Sequence, residues 1–222
     1  KADIYFNPDE TVAMMIHTNE LEKAIEQGTP YFDCFKGVDL RRTEVVCFTW
    51  AAQNLCGAGI MGYSTYFYTQ AGLATENAFN MSLGQYALGF FGTIFSWYLM
   101  AHLGRRTLYV GGLAILFVIL LAIGFTSLAG NHSIAASWAT GSLLLVYTFF
   151  YDSTVGPVCY SLVSELSSTR LRAKTIVLAR NLYNIFSIVN GVIIPYMLNP
   201  TAWNWRGKAG FFWAGLCFLC VA

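Results

Sequence analysis

Three ionisable side chains stand inside otherwise apolar stretches: Asp152, Glu165 and Arg180. Charge in such surroundings is costly and defaults to a functional role. Asp152 and Arg180 are candidates for proton coupling, with an internal ion pair of no further consequence as the competing account. Glu165 precedes the basic run Arg170, Arg172 and Lys174, where a carboxylate is poised to pair with Arg105, Arg106 or Arg172. Amides and hydroxyls gather in the same stretches. Gln53 and Asn54 are followed by Tyr63, Ser64, Thr65 and Tyr66, then by Gln85, and later by Tyr160 and Tyr183. Asn181, Asn184, Ser187 and Asn190 recur every third residue, a row that spirals slowly around a helix. Amides offer donors and acceptors together, which suits adjacent hydroxyls on a sugar, and flat aromatic faces suit the C–H surface of a pyranose. For any single Asn or Ser, hydrogen bonding between helices is the alternative. For Gln53, Asn54 and Tyr160 together a bound solute is the stronger reading.

These side chains sit on segments of unusual composition. Charged residues make up 11% of the 222-residue chain and the mean hydropathy is +0.50, against about 25% charged in soluble domains. Residues 1–44 are polar. Asn7-Pro8-Asp9-Glu10 starts a helix, Met14, Thr18, Leu21 and Ile25 fall on one face, and Gly28 and Pro30 end it. Long apolar runs follow over 45–68, 83–102, 108–129, 138–166 and 176–198, with a sixth begun at 211–222. About 20 apolar residues cross a bilayer, so the expected fold is an all-α membrane bundle preceded by a surface helix. Glycine and proline interrupt three runs: Gly57, Gly59 and Gly62 in the first, Gly156-Pro157 in the fourth, Gly191 and Pro195 in the fifth. Such interruptions free backbone groups that can line a midplane site; a packing kink is the competing account.

Six alternating spans place every lysine and arginine except Arg206 and Lys208 on one side. The positive-inside rule makes that side, with residues 1–44, cytoplasmic. The opposite loops carry the sequons Asn80-Met81-Ser82 and Asn131-His132-Ser133. The six cysteines show no metal-ligand spacing and read as small buried residues; neither a metal nor a cofactor is expected. No nucleophile–base pair points to an enzyme, and the basic residues form membrane-edge clusters that give no nucleic-acid surface. The chain opens and closes within elements, as part of a longer chain would.

The motifs together resemble the C-terminal half of a sugar porter of the major facilitator superfamily. Leu103-Gly104-Arg105-Arg106 is similar to the family's turn between the second and third helices of each half. Glu165 followed by Arg172 resembles the acid and arginine that close its inner face. Gln53-Asn54-Leu55-Cys56-Gly57 occupies the place of a Gln-Gln-x-x-Gly sugar-contact motif, and Gly156-Pro157-Val158-Cys159-Tyr160 that of Gly-Pro-x-x-Trp. The chain departs from the pattern at Asn54, Gly59, Ala101 and Tyr160. The phrases TWAAQNLCG, FFYDSTVGPVCYSLVSE and RLRAKTIVLARNLYN resemble the fungal α-glucoside, or maltose-type, permeases.

This resemblance implies a six-helix half of a twelve-helix bundle and proton-coupled uptake of maltose or related α-glucosides across the plasma membrane. Its partners would be a sugar, protons, the lipid bilayer and an N-terminal half. It implies substrate contacts from Gln53, Asn54, Tyr63, Gln85, Tyr160, Tyr183 and Asn184. A latch of Arg105, Arg106, Glu165 and Arg172 would hold the cytoplasmic end. A monosaccharide facilitator or symporter and a transporter-like nutrient sensor are the alternatives.

Overall fold

The structure is a computed structural model and describes residues 8–26, 30–70, 73–129, 134–168 and 171–221. Among these residues it is helical, without strands. Helix α1, Pro8–Glu26, carries the polar N-terminal segment, with Met14 and Leu21 exposed along it; the Ile25 side chain and Gly28 lie outside the described residues. The bundle then comprises α2 (Gly37–Gln53), α3 (Gly59–Gly62), α4 (Ser64–Gln70), α5 (Thr75–His102), α6 (Arg105–Ala129), α7 (Ile134–Phe150), α8 (Gly156–Leu166), α9 (Arg172–Leu198) and α10 (Ala209–Val221).

Two helices start about two turns earlier than their apolar runs. The first bundle helix begins at Gly37 rather than Val45, because a polar turn can extend a helix without apolar content. Asp39 sits in its first turn, where the helix dipole favours an acid, and Arg41 pairs with Glu44 at 3.4 Å. Helix α5 likewise begins on Thr75 and Glu76. Each apolar run of the sequence is carried by helix. Among the described residues, three stretches are long and apolar enough to cross a membrane by length and composition: Gly37–Gly62, Arg105–Leu128 and Arg172–Leu198.

The glycine-marked interruptions of the first and fourth runs are both wide, π-like turns: that of the fourth run holds one extra residue without breaking, whereas that of the first is kinked at Gly57. One, Asn54–Ala58, joins α2 to α3, and the other, Tyr151–Val155, joins α7 to α8. In the second the wide turn lies just before Gly156-Pro157. A proline ring collides with the carbonyl four residues back, here Ser153, and a wider turn moves that carbonyl aside. In the first, Gly57 takes φ +94°, a conformation that suits glycine alone. A Cβ on Gly57 would also stand 3.3 Å from Cβ of the buried Trp213.

A π-turn releases main-chain carbonyls from their usual partners, and a bilayer offers no water to replace them. Side chains from other helices do so. Tyr147 of α7 donates its hydroxyl to Cys56 O at 2.7 Å, and Asn190 of α9 donates to Asn54 O at 3.3 Å. Above and below, Tyr109 of α6 donates to Thr49 O at 2.7 Å and Gln85 of α5 donates to Met61 O at 3.3 Å. The core between them is apolar, with Leu113, Leu116, Leu120, Leu144 and Trp213 buried.

Tyr147→Phe keeps the ring and removes only the donor to Cys56 O. It should lower unfolding stability by about 1–3 kcal/mol, the cost of an unsatisfied buried carbonyl. Thermal unfolding in detergent measures this, and an unchanged midpoint would show that the carbonyl is satisfied otherwise.

Candidate functional site

A cavity of about 630 Å³ opens beside the two π-turns, within the roughly 300–1,000 Å³ common for small-molecule sites. The first π-turn and α3 supply Asn54, Gly59 and Gly62, with Tyr63 in the turn that follows. Helix α5 supplies Gln85, Tyr86, Gly89 and Thr93. The second π-turn supplies Tyr151 and Asp152, and α9 supplies Tyr183, Ser187 and Asn190. Helix α5 approaches the second π-turn through Gly89 and Gly92. A Cβ on Gly89 would sit 2.6 Å from Asp152 Oδ2, and one on Gly92 would sit 3.0 Å from Phe149 O.

Four of the expected contact residues line this cavity besides Asp152. Asn54 is tied down, its Nδ2 donating to Tyr183 O at 2.9 Å. Tyr63 donates its hydroxyl to Gly191 O at 3.3 Å, bridging α9. Gln85 is buried, donating to Met61 O and accepting from Tyr68 Oη at 3.1 Å. Tyr183 presents its ring. The other expected contacts lie elsewhere. Gln53 is 5% exposed and off the cavity wall, with Oε1 buried and unpartnered. Asn184 is exposed and does not line the cavity. Tyr160 lies on the wall of a separate chamber of about 390 Å³, with Trp50, Arg180 and Asn181.

Asp152 and Arg180 form no ion pair with each other. Asp152 has no hydrogen-bond or ion-pair partner among the described residues. The Arg180 guanidinium lies 4.6 Å from the centre of the Tyr183 ring and 5.6 Å from that of Trp50, the geometry of a cation–π contact. Tyr160 meets Trp50 edge-on at 5.8 Å. These aromatic rings therefore lie between the main cavity, bounded by Tyr183, and the smaller chamber, bounded by Trp50 and Tyr160.

At the basic end, Arg105 Nε meets Glu165 Oε1 at 2.6 Å, linking the start of α6 to the end of α8. Both side chains are about half exposed, so the pair is worth only about 0–1 kcal/mol in stability. Arg106 and Arg172 form no ion pair with Glu165, and Arg170 lies outside the described residues.

Sequence reading missed Tyr86, Thr93, Thr148 and Tyr151 on the cavity wall. Tyr151 could have been found from its place beside Asp152. Gly89 and Gly92, three residues apart on an otherwise bulky aromatic helix, signal the close approach that brings Thr93 in.

A helical apolar bundle around a polar cavity, with a carboxylate and amides on its wall beside interrupted helices, is an arrangement that membrane transporters use. A family described as sugar (and other) transporter matches residues 4–222. The chain belongs to that family, within the major facilitator superfamily, and is part of a multi-pass membrane protein. Among its relatives is a general alpha-glucoside permease of Saccharomyces cerevisiae, 44% identical over 96% of this chain and 35% of the relative. A maltose permease of the same yeast is 45% identical over 90% of this chain and 32% of the relative. An alpha-glucosides permease, also from that yeast, is 41% identical over 95% and 36% respectively. The chain spans about a third of the length of these curated relatives.

If the Arg105–Glu165 pair acts as a latch, Glu165→Gln should change unfolding stability by less than about 1 kcal/mol. It should nonetheless increase labelling of a cysteine placed at Ser187 by a thiol reagent applied from the basic side. Labelling equal to that of the parent would reduce Glu165 to a solvated surface acid.

Proposed function

We propose that the full-length protein carrying this chain is a secondary active transporter that takes up maltose or related α-glucosides with protons, by alternating access. The carrying observation is the polar cavity at the two π-turns, in a chain whose relatives are named for maltose and alpha-glucosides. The tyrosine rings offer faces for a pyranose, while Asn54, Asn190 and Asp152 offer polar atoms for its hydroxyls. The cavity would receive sugar with the basic end closed, and the Arg105–Glu165 pair would part as that end opens. The basic end would face the cytoplasm and the membrane would be the plasma membrane.

Coupling requires a group that gains and loses a proton on the path. Asp152 is the candidate in this part of the protein, and Arg180 is the fixed cation across the Tyr183 ring, because guanidinium does not deprotonate. A proton reaching Asp152, or a carboxylate from the rest of the transporter, would weaken its attraction to Arg180 and free the aromatic layer to move. One proton crossing a potential of about 100 mV supplies about 2.3 kcal/mol, enough for roughly fiftyfold accumulation.

Labelled maltose uptake with and without an imposed pH gradient tests the reading. Accumulation that follows the gradient is expected, and equilibration without accumulation would leave a facilitator. Binding with no transport would favour a sensor. Arg180→Ala should lose proton-driven accumulation while retaining maltose counterflow; parental proton entry in that variant would remove Arg180 from coupling.

A further inference from the structure

We propose that the cavity wall in this chain is an acceptor surface, which selects a neutral polyhydroxylated ring by taking hydrogen bonds from its hydroxyl groups. This rests on the reading of the cavity as the sugar site.

The polar atoms around the cavity are unevenly committed. Tyr63, Thr93 and Thr148 each have one hydroxyl hydrogen. They give it to Gly191 O at 3.3 Å, Gly89 O at 3.0 Å and Leu144 O at 3.0 Å. Gln85 uses its amide nitrogen on Met61 O and its oxygen on Tyr68. Asn54 and Asn190 each give an amide hydrogen to the main chain, at Tyr183 O and Asn54 O. Donors on this wall are thus largely committed to main-chain carbonyls, with one amide hydrogen each left on Asn54, Asn190 and Gln85.

Acceptor sites outnumber the donors that remain. The three hydroxyl groups keep lone pairs, and Oδ1 of Asn54 and of Asn190 accepts from no described donor. The Asp152 carboxylate, with about four acceptor sites when ionised, has no described partner. The hydroxyls of Tyr86, Tyr183 and Ser187 can turn either way and do not reverse the balance. A vicinal diol can place both of its hydrogens on one carboxylate. Charge-assisted bonds of this kind are about twice as strong as neutral ones. The chamber beyond Tyr183 has the opposite character, since Arg180 and Asn181 bring N–H groups to its wall and no carboxylate lines it.

The test is equilibrium binding to the full-length protein carrying this chain. The probes are maltose and derivatives in which one hydroxyl at a time is removed or replaced by fluorine. Fluorine keeps a weak acceptor but has no hydrogen to give. At the hydroxyls held by this wall, the deoxy and fluoro forms should both bind at least roughly tenfold more weakly, and by the same factor. Fluoro forms that bind like maltose where deoxy forms lose affinity would overturn the proposal, and so would a series with no loss at any position. Because this comparison uses the parental protein, it does not depend on a variant folding.

Asp152→Asn exchanges one acceptor oxygen for an NH₂ donor. It should weaken maltose binding by roughly tenfold or more and narrow the penalty for fluorine; unchanged affinity would count against the proposal. Gly62→Phe separates this inference from the underlying reading. Gly62 lines the cavity and a Cβ there meets no atom within 4 Å, so the added side chain starts in open space. Maltose binding unaffected by Gly62→Phe would mean that the cavity is not the sugar site. Loss of binding in Gly62→Phe, with fluoro derivatives still bound by the parent, would defeat only the acceptor inference.

Discussion

A carbonyl released from its helix inside a bilayer has to find another donor, and most of this architecture answers that need. The first bundle helix gives up regular winding between Asn54 and Ala58. Side chains from α5, α6, α7 and α9 then reach its main chain at Met61, Thr49, Cys56 and Asn54. Each unmet carbonyl would cost several kcal/mol in hydrocarbon. Two of these four bonds, at Cys56 and Asn54, meet carbonyls of the irregular turn, and all four tie neighbours to this helix. The cavity lies where that irregularity is, because the chain cannot fill the space beside a widened turn with regular helix.

The charged groups contribute differently. Arg105 and Glu165 are half exposed, so their bond adds little to stability and can be exchanged at small cost, as suits a contact that must break in each cycle. Arg180 is held by ring faces rather than by a carboxylate. Cation–π attraction is weaker than a buried ion pair and less directional, so a guanidinium held that way can leave its seat without stranding a buried partner charge. The firm contacts in this molecule are hydrogen bonds to backbone, and the exchangeable ones involve charge.

Much of this was legible in the residues. Apolar run length located the bundle helices, and the Gly-Pro pair and the cluster Gly57, Gly59 and Gly62 marked where regular winding fails. The family followed from motifs along the whole chain. Helix starts were less legible, because Gly37–Glu44 and Thr75–Ser82 are polar turns that hydropathy assigns to loops. Side-chain direction was least legible. Gln53 and Asn54 are neighbours, yet only Asn54 reaches the cavity, because the π-turn begins between them. Asn184 belongs to an even polar row on α9, but the row spirals, so Ser187 and Asn190 reach the cavity wall and Asn184 does not. Donor and acceptor commitments, which shape the chemistry of the wall, depend on contacts between residues over a hundred positions apart, such as Asn54 with Tyr183.

The π-turns also have an evolutionary arithmetic. The one at Tyr151–Val155 absorbs a single extra residue without a break, the one at Asn54–Ala58 is kinked at Gly57, and one residue of helix corresponds to about 100° of rotation. Losing one residue from Asn54–Ala58 with the kink kept would turn everything before it by about that angle relative to α3. Trp50 would then leave the Arg180 side of the helix, and Tyr109 would lose Thr49 as its acceptor. Substitutions along α2 can therefore accumulate one at a time, whereas a change of length by one residue re-aims a whole face at the kink and, at Tyr151–Val155, removes the widening that makes room for Pro157. Length at these two places should drift far more slowly among descendants of this sequence than the identities of the residues that fill it.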